Sequence, residues 1–431
     1  MAGRGQRSFE VPPSAARLTA SLRDIGYNFQ TAVADLVDNS IAAGATRVDV
    51  DLEFDGADSW VSIADDGLGM TANGVVEALR YGTRRGYGAG ELGRYGLGLK
   101  TAPLSQCRSV TVVTRRSTVS KVITRRTLDL DVIEAWDAWM VVEAPPTAAV
   151  ARGVDRLQQA PGTVVIWEKL DRVLPNRRPE GGWARRRMRQ YAARVSDHLA
   201  MVFHRFLEGS ARSERLTITV NGEKVSPWNP FAPEEPATLA LSPQAFEILA
   251  GEQVGEVRLR GYVLPSRDRF SSLGEFERLS GPMKWNRQQG IYVYRADRLV
   301  QWGGWSGIRA IDEHTKLARV ALDFDTDLDD AFHINVAKMR VTVPSTLRQM
   351  LERPLHEVCT RADDAYRKTA RSESSRSRPN EGARGRDIAA PSVGLALRSA
   401  AMELGHLKAL NEIAELLRDR DPALVRSLGL D

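Results

Sequence analysis

The stretch GAGELGRYGLGLKT, residues 88 to 101, carries five glycines between positions 88 and 98. Backbone this free of Cβ atoms loses too much entropy to be the interior of a helix or strand, so it must be a loop. Two phosphate-cradling patterns lie within it. Gly88, Gly90 and Gly93 spell G-x-G-x-x-G, and Gly93, Gly98, Lys100 and Thr101 nearly spell a P-loop. The first pattern needs a strand directly before it and an acid about 20 residues beyond. Here VVEALRYGTRRGY reads as helix and loop, and residues 108 to 118 contain no acid. The second needs lysine directly after the last glycine, but Leu99 intervenes and no strand ends at Gly93. A lid over a nucleotide is the remaining reading.

The rest of the chain supplies the context. With 431 residues, 42% hydrophobic and 27% charged, it can build two or three ordinary cores. The opening MAGRGQRSFEVPPS has no apolar run behind its basic residues, and nothing approaches the roughly 18 apolar residues of a membrane span, so a cytoplasmic protein with no membrane partner is expected. Cys107 and Cys359 stand far apart and read as buried thiols. A net charge of +5 favours anionic partners only mildly. Two segments concentrate it. ARRRMRQ, with Arg185, Arg186, Arg187 and Arg189, is either a phosphate-binding or a solvated helix face, and residues 371 to 386 read as a disordered Arg/Ser/Gly linker.

Periodicity divides the chain into alternating types. In TAVADLVDNSIAAGA, Val33, Leu36, Val37 and Ile41 recur at helical spacing, with Gly44 placed to end the helix. RVDVDLEF and WVSIA follow as strands about a DGAD turn. Thr71 is the expected N-cap of a helix over TANGVVEALRYG. SVTVVTR and PGTVVIWEKL read as strands, RRRMRQYAARVSDHLAMVFHRFL as one long helix, and LTITVNGEKV as a hairpin turning at Asn221-Gly222. Strands dominate to about residue 345, and a helix then leads into the linker. LALRSAAMELGHLKALNEIAELLRDR reads as an amphipathic helix or helix pair.

Two local patterns carry chemistry. Thr31, Asp35 and Asn39 recur every four residues, on the face away from Val33, Leu36 and Val37. A carboxylate there can deprotonate water and an amide oxygen can hold Mg²⁺, although the same spacing also suits a plain exposed amphipathic helix. In IADDGLGM a carboxylate ends a strand and glycines follow it. Asp65 could accept from adenine's exocyclic amine while Gly67 lets the ring approach bare backbone, or the segment could be a simple turn.

In order and spacing, these stretches together resemble the ATP site of the GHKL superfamily, which includes gyrase, the large heat-shock chaperone, sensor histidine kinases and MutL. ADLVDNSIAAGATRVDV resembles the N-box, DDGLGM the D-x-G-x-G box, GRYGLGLKTA the G-x-x-G-x-G-x-K box, and PGTVVIWEKL the element whose threonine supports the adenine-binding aspartate. DNSIAAGATRVDV is similar to MutL, GLGLKT to MORC proteins, and FHINVAKMRV to the MutL segment that delivers a lysine to the γ-phosphate. The resemblance implies an α+β protein: a Bergerat-type α/β sandwich with helices on one face of a mixed sheet, then a transducer α/β domain of the S5 type and a short helical C terminus. The expected divisions are an arm over 1–27, the ATP-binding domain over 28–210, the transducer over 211–345, a helix over 346–370, the linker over 371–390 and C-terminal helices over 391–431.

The resemblance also assigns roles. Asp35 would be the hydrolytic base and Lys338 the γ-phosphate sensor. Asn39 would hold Mg²⁺. Asp65, Gly67, Gly69, Met70, Gly93, Tyr95, Gly96, Leu97, Gly98, Lys100 and Thr163 would bind ATP. MutL and MORC proteins carry glutamate where this chain has Asp35, so slow turnover is expected, with Asp38 an alternative base. ATP would close the lid and join two chains into a homodimer, partly through residues 7 to 27. DNA and a partner nuclease, helicase or methyltransferase, in restriction-modification or phage defence, are the expected associates. A non-hydrolysing nucleotide-binding scaffold is the alternative. A chaperone-like ATPase ranks below it for want of an acidic linker, and a sensor kinase is disfavoured because no histidine precedes His198.

Overall fold

Asn28 starts the central helix by accepting the Thr31 N–H on its side chain at 2.9 Å, which satisfies one of the donors a helix start leaves open. The structure is a computed structural model that describes residues 9, 11–24, 26–82, 98–116, 121–176, 179–211, 214–250, 253–334, 341–376, 398–402, 406–420 and 425. The described chain divides into two compact units, Met1–Ala370 and Arg371–Asp431.

The first unit begins with helices α1 (Ala15–Leu22) and α2 (Phe29–Ala42) and an eight-stranded sheet. Its strands are β1 (Arg47–Glu53), β2 (Trp60–Asp65), β3 (Ser109–Arg115), β4 (Thr124–Asp129), β5 (Val142–Glu143), β6 (Gly162–Glu168), β7 (Thr217–Val220) and β8 (Glu223–Lys224). They lie in the order β5-β4-β3-β6-β2-β1-β7-β8, antiparallel except for the β1–β7 pair. Between the strands run α3 (Ala72–Leu79), α4 (Gly98–Leu104), α5 (Leu130–Trp136), α6 (Ala148–Gln159), α7 (Gly182–Val202) and α8 (His204–Glu208). The expected Thr71 cap is present, accepting from Gly74 N–H at 3.1 Å. The single helix expected through FHRFL breaks at Phe203 into α7 and α8.

Strand alternation sorts the sheet into two apolar faces. Val61 and Ile63 of β2 and Val165 and Trp167 of β6 face the core shared with α2 and α7. Their neighbours Ala64, Val164 and Ile166 face a second core, which Ala149, Val150 and Leu157 of α6 close. One helix therefore covers part of the face opposite the main helical layer. That cover explains Asp49, an outward position by the alternation of β1. It is buried there because Arg47, Arg156 and Thr219 bond its carboxylate, which lies below the usual acid range despite the opposing cost of burial.

The first sheet runs on past residue 210 to its last hairpin, which turns through Asn221 at φ 50°. A six-stranded second sheet follows: β9 (Leu239–Ala240), β10 (Gln244–Ala250), β11 (Gln253–Val263), β12 (Gly290–Arg295), β13 (Arg298–Gln301) and β14 (Ala318–Phe324). Its main path is β10-β11-β14-β12-β13, with β9 on β11, and only β12–β14 is parallel. The short helices α9 (Leu273–Leu279) and α10 (Lys284–Gln288) precede β12. The long α11 (Ser345–Arg376) supplies Leu347, Leu351, Leu355 and Val358 to the second core. The two sheets join through α7 and α8. Met201 packs with Phe231, Tyr292, Tyr294 and Leu299, His204 Nε2 meets the Tyr294 hydroxyl at 2.8 Å, and Arg205 pairs with Asp297 and Asp323.

The architecture is therefore α+β: helices on a mixed sheet, a further α/β layer, and a helical C terminus. In the second unit, α12 (Leu407–Arg420) buries Ala414 in a small cluster with Val425. Cys107 and Cys359 are buried free thiols, and burial pushes the Cys359 thiol up to about 11. No helix among the described residues is long and apolar enough to cross a membrane. Leu36 of α2 faces the core with only 2% exposure, so Leu36→Ala should cost about 2–5 kcal/mol in urea unfolding, since the packed helix cannot collapse into the void.

Candidate active site

The site grows from α2. The sequence pattern suggests one apolar and one polar face, yet both are buried: Thr31, Asp35, Asp38 and Ser40 all lie inside. Each polar group must then find a partner within the protein. Asp35, 3% exposed, accepts from the Tyr27 hydroxyl at 3.2 Å. Burial and the adjacent carboxylate raise the Tyr27 phenol well above its usual range, so the hydroxyl stays a donor. Thr101 of α4 also bonds Tyr27. Gly98, the first residue of α4, comes so close to Asp35 that a Cβ at this position would collide with the carboxylate. The end of the glycine-rich stretch is thus seated against the Asp35 side chain only because residue 98 has none.

Asp38, one turn on, is fully buried and ion-paired with Arg298 of β13 at 2.9 Å. A carboxylate held in that way is a poor alternative base, which corrects the expectation that it could replace Asp35. Asn39 follows it. Its side-chain amide nitrogen is buried with no partner among the described residues, and an orphaned group of this kind calls for a ligand.

Asp65 closes β2 beside the other end of α2. Its carboxylate accepts from Ser40 Oγ and from Gly67 N–H, each at 3.0 Å, and from the Thr163 main chain. Burial outweighs these donors and lifts its pKa to about 6. Thr163 faces Asp65 across the β2–β6 ladder, while its hydroxyl goes to Thr114 Oγ1 at 3.1 Å. Support for the aspartate thus comes from the threonine's backbone. The Thr114 hydroxyl holds the following turn, accepting Met70 N–H at 2.9 Å and donating to Gly162 C=O. The turn between is pinned from both sides, by Leu68 N–H on Ala43 C=O and by Asp66, which receives Thr46 and Arg47. Gly69, at φ 62°, passes against the Arg115 main chain, where a Cβ would not fit.

Lys100 is buried and donates from Nζ to Ala78 C=O, near the end of α3, at 3.0 Å. Burial lowers its pKa to about 8, against the opposing pull of Glu77. It ties α4 to α3 in this arrangement. The expected Gly93, Tyr95, Gly96 and Leu97 of the lid and the expected sensor Lys338 lie outside the described residues. The structure thus gathers Asp35, Asn39, Gly98 and Lys100 on α2 and α4, and Asp65, Gly67, Gly69, Met70 and Thr163 around the end of β2. Tyr27, Ser40, Thr114 and Arg298 were missed by sequence reasoning. Ser40 adjoins Asn39 and could have been found; Arg298 has no local signal at all.

Residues 27–163 match the family described as histidine kinase-, DNA gyrase B-, and HSP90-like ATPase. This part of the chain is a GHKL-type ATPase domain, a class built to bind ATP. No curated protein matches the chain.

The Asp65 carboxyl makes a signed prediction. Its folded pKa, about 6, exceeds the ordinary value of 3.8, so the folded state holds the proton more tightly and stability falls as pH rises from 3.8 through 6. Asp65→Asn should therefore raise the melting temperature at pH 7.5 and leave it unchanged at pH 4. An equal effect at both pH values would refute the assignment.

Proposed function

We propose that this domain binds Mg²⁺-ATP and hydrolyses it slowly, and that nucleotide gates the association of two chains working with DNA-processing partners. The observation that carries the hydrolytic reading is Asp35: a buried carboxylate, oriented by Tyr27, against the first residue of the helix that follows the glycine-rich stretch. A water between that carboxylate and a terminal phosphate would lose its proton to Asp35.

The other residues fit the rest of the substrate. Asp65 offers the adenine amine an acceptor whose three protein donors already fix its rotation. Asn39 would turn its side-chain oxygen to Mg²⁺, which takes one or two protein ligands and fills its shell with water and phosphate oxygens, while its orphaned amide N–H would donate to an oxygen of that shell. Mg²⁺ would neutralise phosphate charge. Lys338 would sense the γ-phosphate.

Asp35→Asn should abolish turnover while keeping nucleotide affinity within a few-fold, measured by phosphate release and by calorimetry. Retained turnover in the variant would refute the role of Asp35. Binding without turnover in the wild type would favour the non-hydrolysing scaffold. The DNA half of the reading draws on Arg185, Arg186 and Arg189, exposed along α7. Arg186→Ala with Arg189→Ala should reduce the slope of log affinity for duplex DNA against log salt by about 0.9 for each phosphate no longer neutralised. An unchanged slope would remove α7 from the interface.

A further inference from the structure

The pair formed by Asp38 and Arg298 joins the helix that carries the site to the second sheet. Residues 260 apart in sequence meet with 0% and 4% side-chain exposure, one on α2 and the other on the β12–β13 hairpin of the second sheet. Asp38 lies one helical turn beyond Asp35 and immediately before Asn39. Around the pair, α7 presents His198, whose ring meets Trp302 just beyond β13 at 5.7 Å between centroids. His198 has an unpartnered Nε2 and is held neutral, its pKa pushed down to about 3 by burial and by Arg298. Tyr27 stands within electrostatic reach of Arg298 as well. Asp35, Asp38, Tyr27, His198 and Arg298 therefore form one buried polar group spanning both sheets.

We infer that Arg298 is a positioning residue that links the second sheet to the nucleotide site: by fixing Asp38 it sets the rotation of α2, and with it the directions of Asp35 and Asn39. A rigid helix makes the link direct. A small displacement of the β12–β13 hairpin must either drag Asp38 or leave two buried charges unpaired, which is strongly unfavourable, so hairpin and helix move together. The turn of this hairpin reinforces the linkage, because Ala296 and Asp297 both adopt positive φ and Asp297 is tied to Arg205 of α8. The inference rests on the proposed nucleotide reading of the α2 face, and adds to it the element through which the second sheet is coupled.

The test uses the full chain. Removing both charges together, Asp38→Asn with Arg298→Met, avoids an uncompensated buried ion and should leave a folded protein with a melting temperature near that of the wild type. Affinity for a non-hydrolysable ATP analogue should stay within a few-fold, while kcat falls on the order of 10- to 100-fold through misorientation alone. A second readout does not depend on turnover. In the wild type the analogue should slow amide hydrogen exchange over residues 290–301; in the double variant it should bind without that protection. Arg298→Lys, which keeps the charge but replaces a planar fork with a single ammonium, should retain part of the exchange response. Binding with equal hairpin protection in the wild type and the double variant overturns the inference and leaves the nucleotide reading standing. A wild type that binds no nucleotide overturns the reading and the inference with it.

Discussion

The site in the first unit turns on a helix most of whose polar residues are buried along with its apolar ones. With Asp35, Asp38, Thr31 and Ser40 buried beside Leu36 and Val37, α2 cannot leave its polar side to water, so partners must be delivered from elsewhere in the chain. Tyr27 answers Asp35, the second sheet answers Asp38, and the end of β2 answers Ser40. Each answer fixes a neighbouring element. Of these helix residues, Asn39 alone has a polar atom left unanswered among the described residues, and it stands one residue from both Asp38 and Ser40.

The same constraint explains the electrostatics. Two acids one turn apart would repel in a low-dielectric interior, but the Arg298 guanidinium sits against one of them and offsets its charge. At the far end no cation offsets Asp65 among the described residues, so burial wins over three hydrogen-bond donors and its pKa rises. One site thus holds two kinds of carboxylate: one neutralised by a pair, one kept near its titration point by desolvation. The difference lies wholly in what the surrounding elements bring.

What was legible in the sequence is what is local. Asp35 and Asn39 share a helix face by spacing, Asp65 and Gly69 share a turn, the Thr71 cap announces α3, and Asn221-Gly222 announces its hairpin. The α+β class was implied by the resemblance that four motifs carry, and the family match over residues 27–163 agrees with it. What stayed hidden depends on long-range pairing. Nothing near Thr114 says that its hydroxyl will hold Met70, 44 residues away. Asp49 reads as an outward strand residue until α6 covers that face of the sheet. Asp38 looked like a spare base because its partner is 260 residues distant.

These hidden contacts are not incidental to the site. A local motif can specify which groups are present, but the orientation of a buried helix is set by whatever grips it, and α2 is gripped at Asp38 from the second sheet and at Ser40 from the first. The amide that lies between those two holds, and the carboxylate one turn before them, point where the holds allow. A shift of one sheet against the other must therefore change the site's geometry or break a buried pair, and the second costs more than a slight rotation of the helix. In a molecule built this way, coupling between the two sheets needs no added device, because it follows from burying a helix with charges on it.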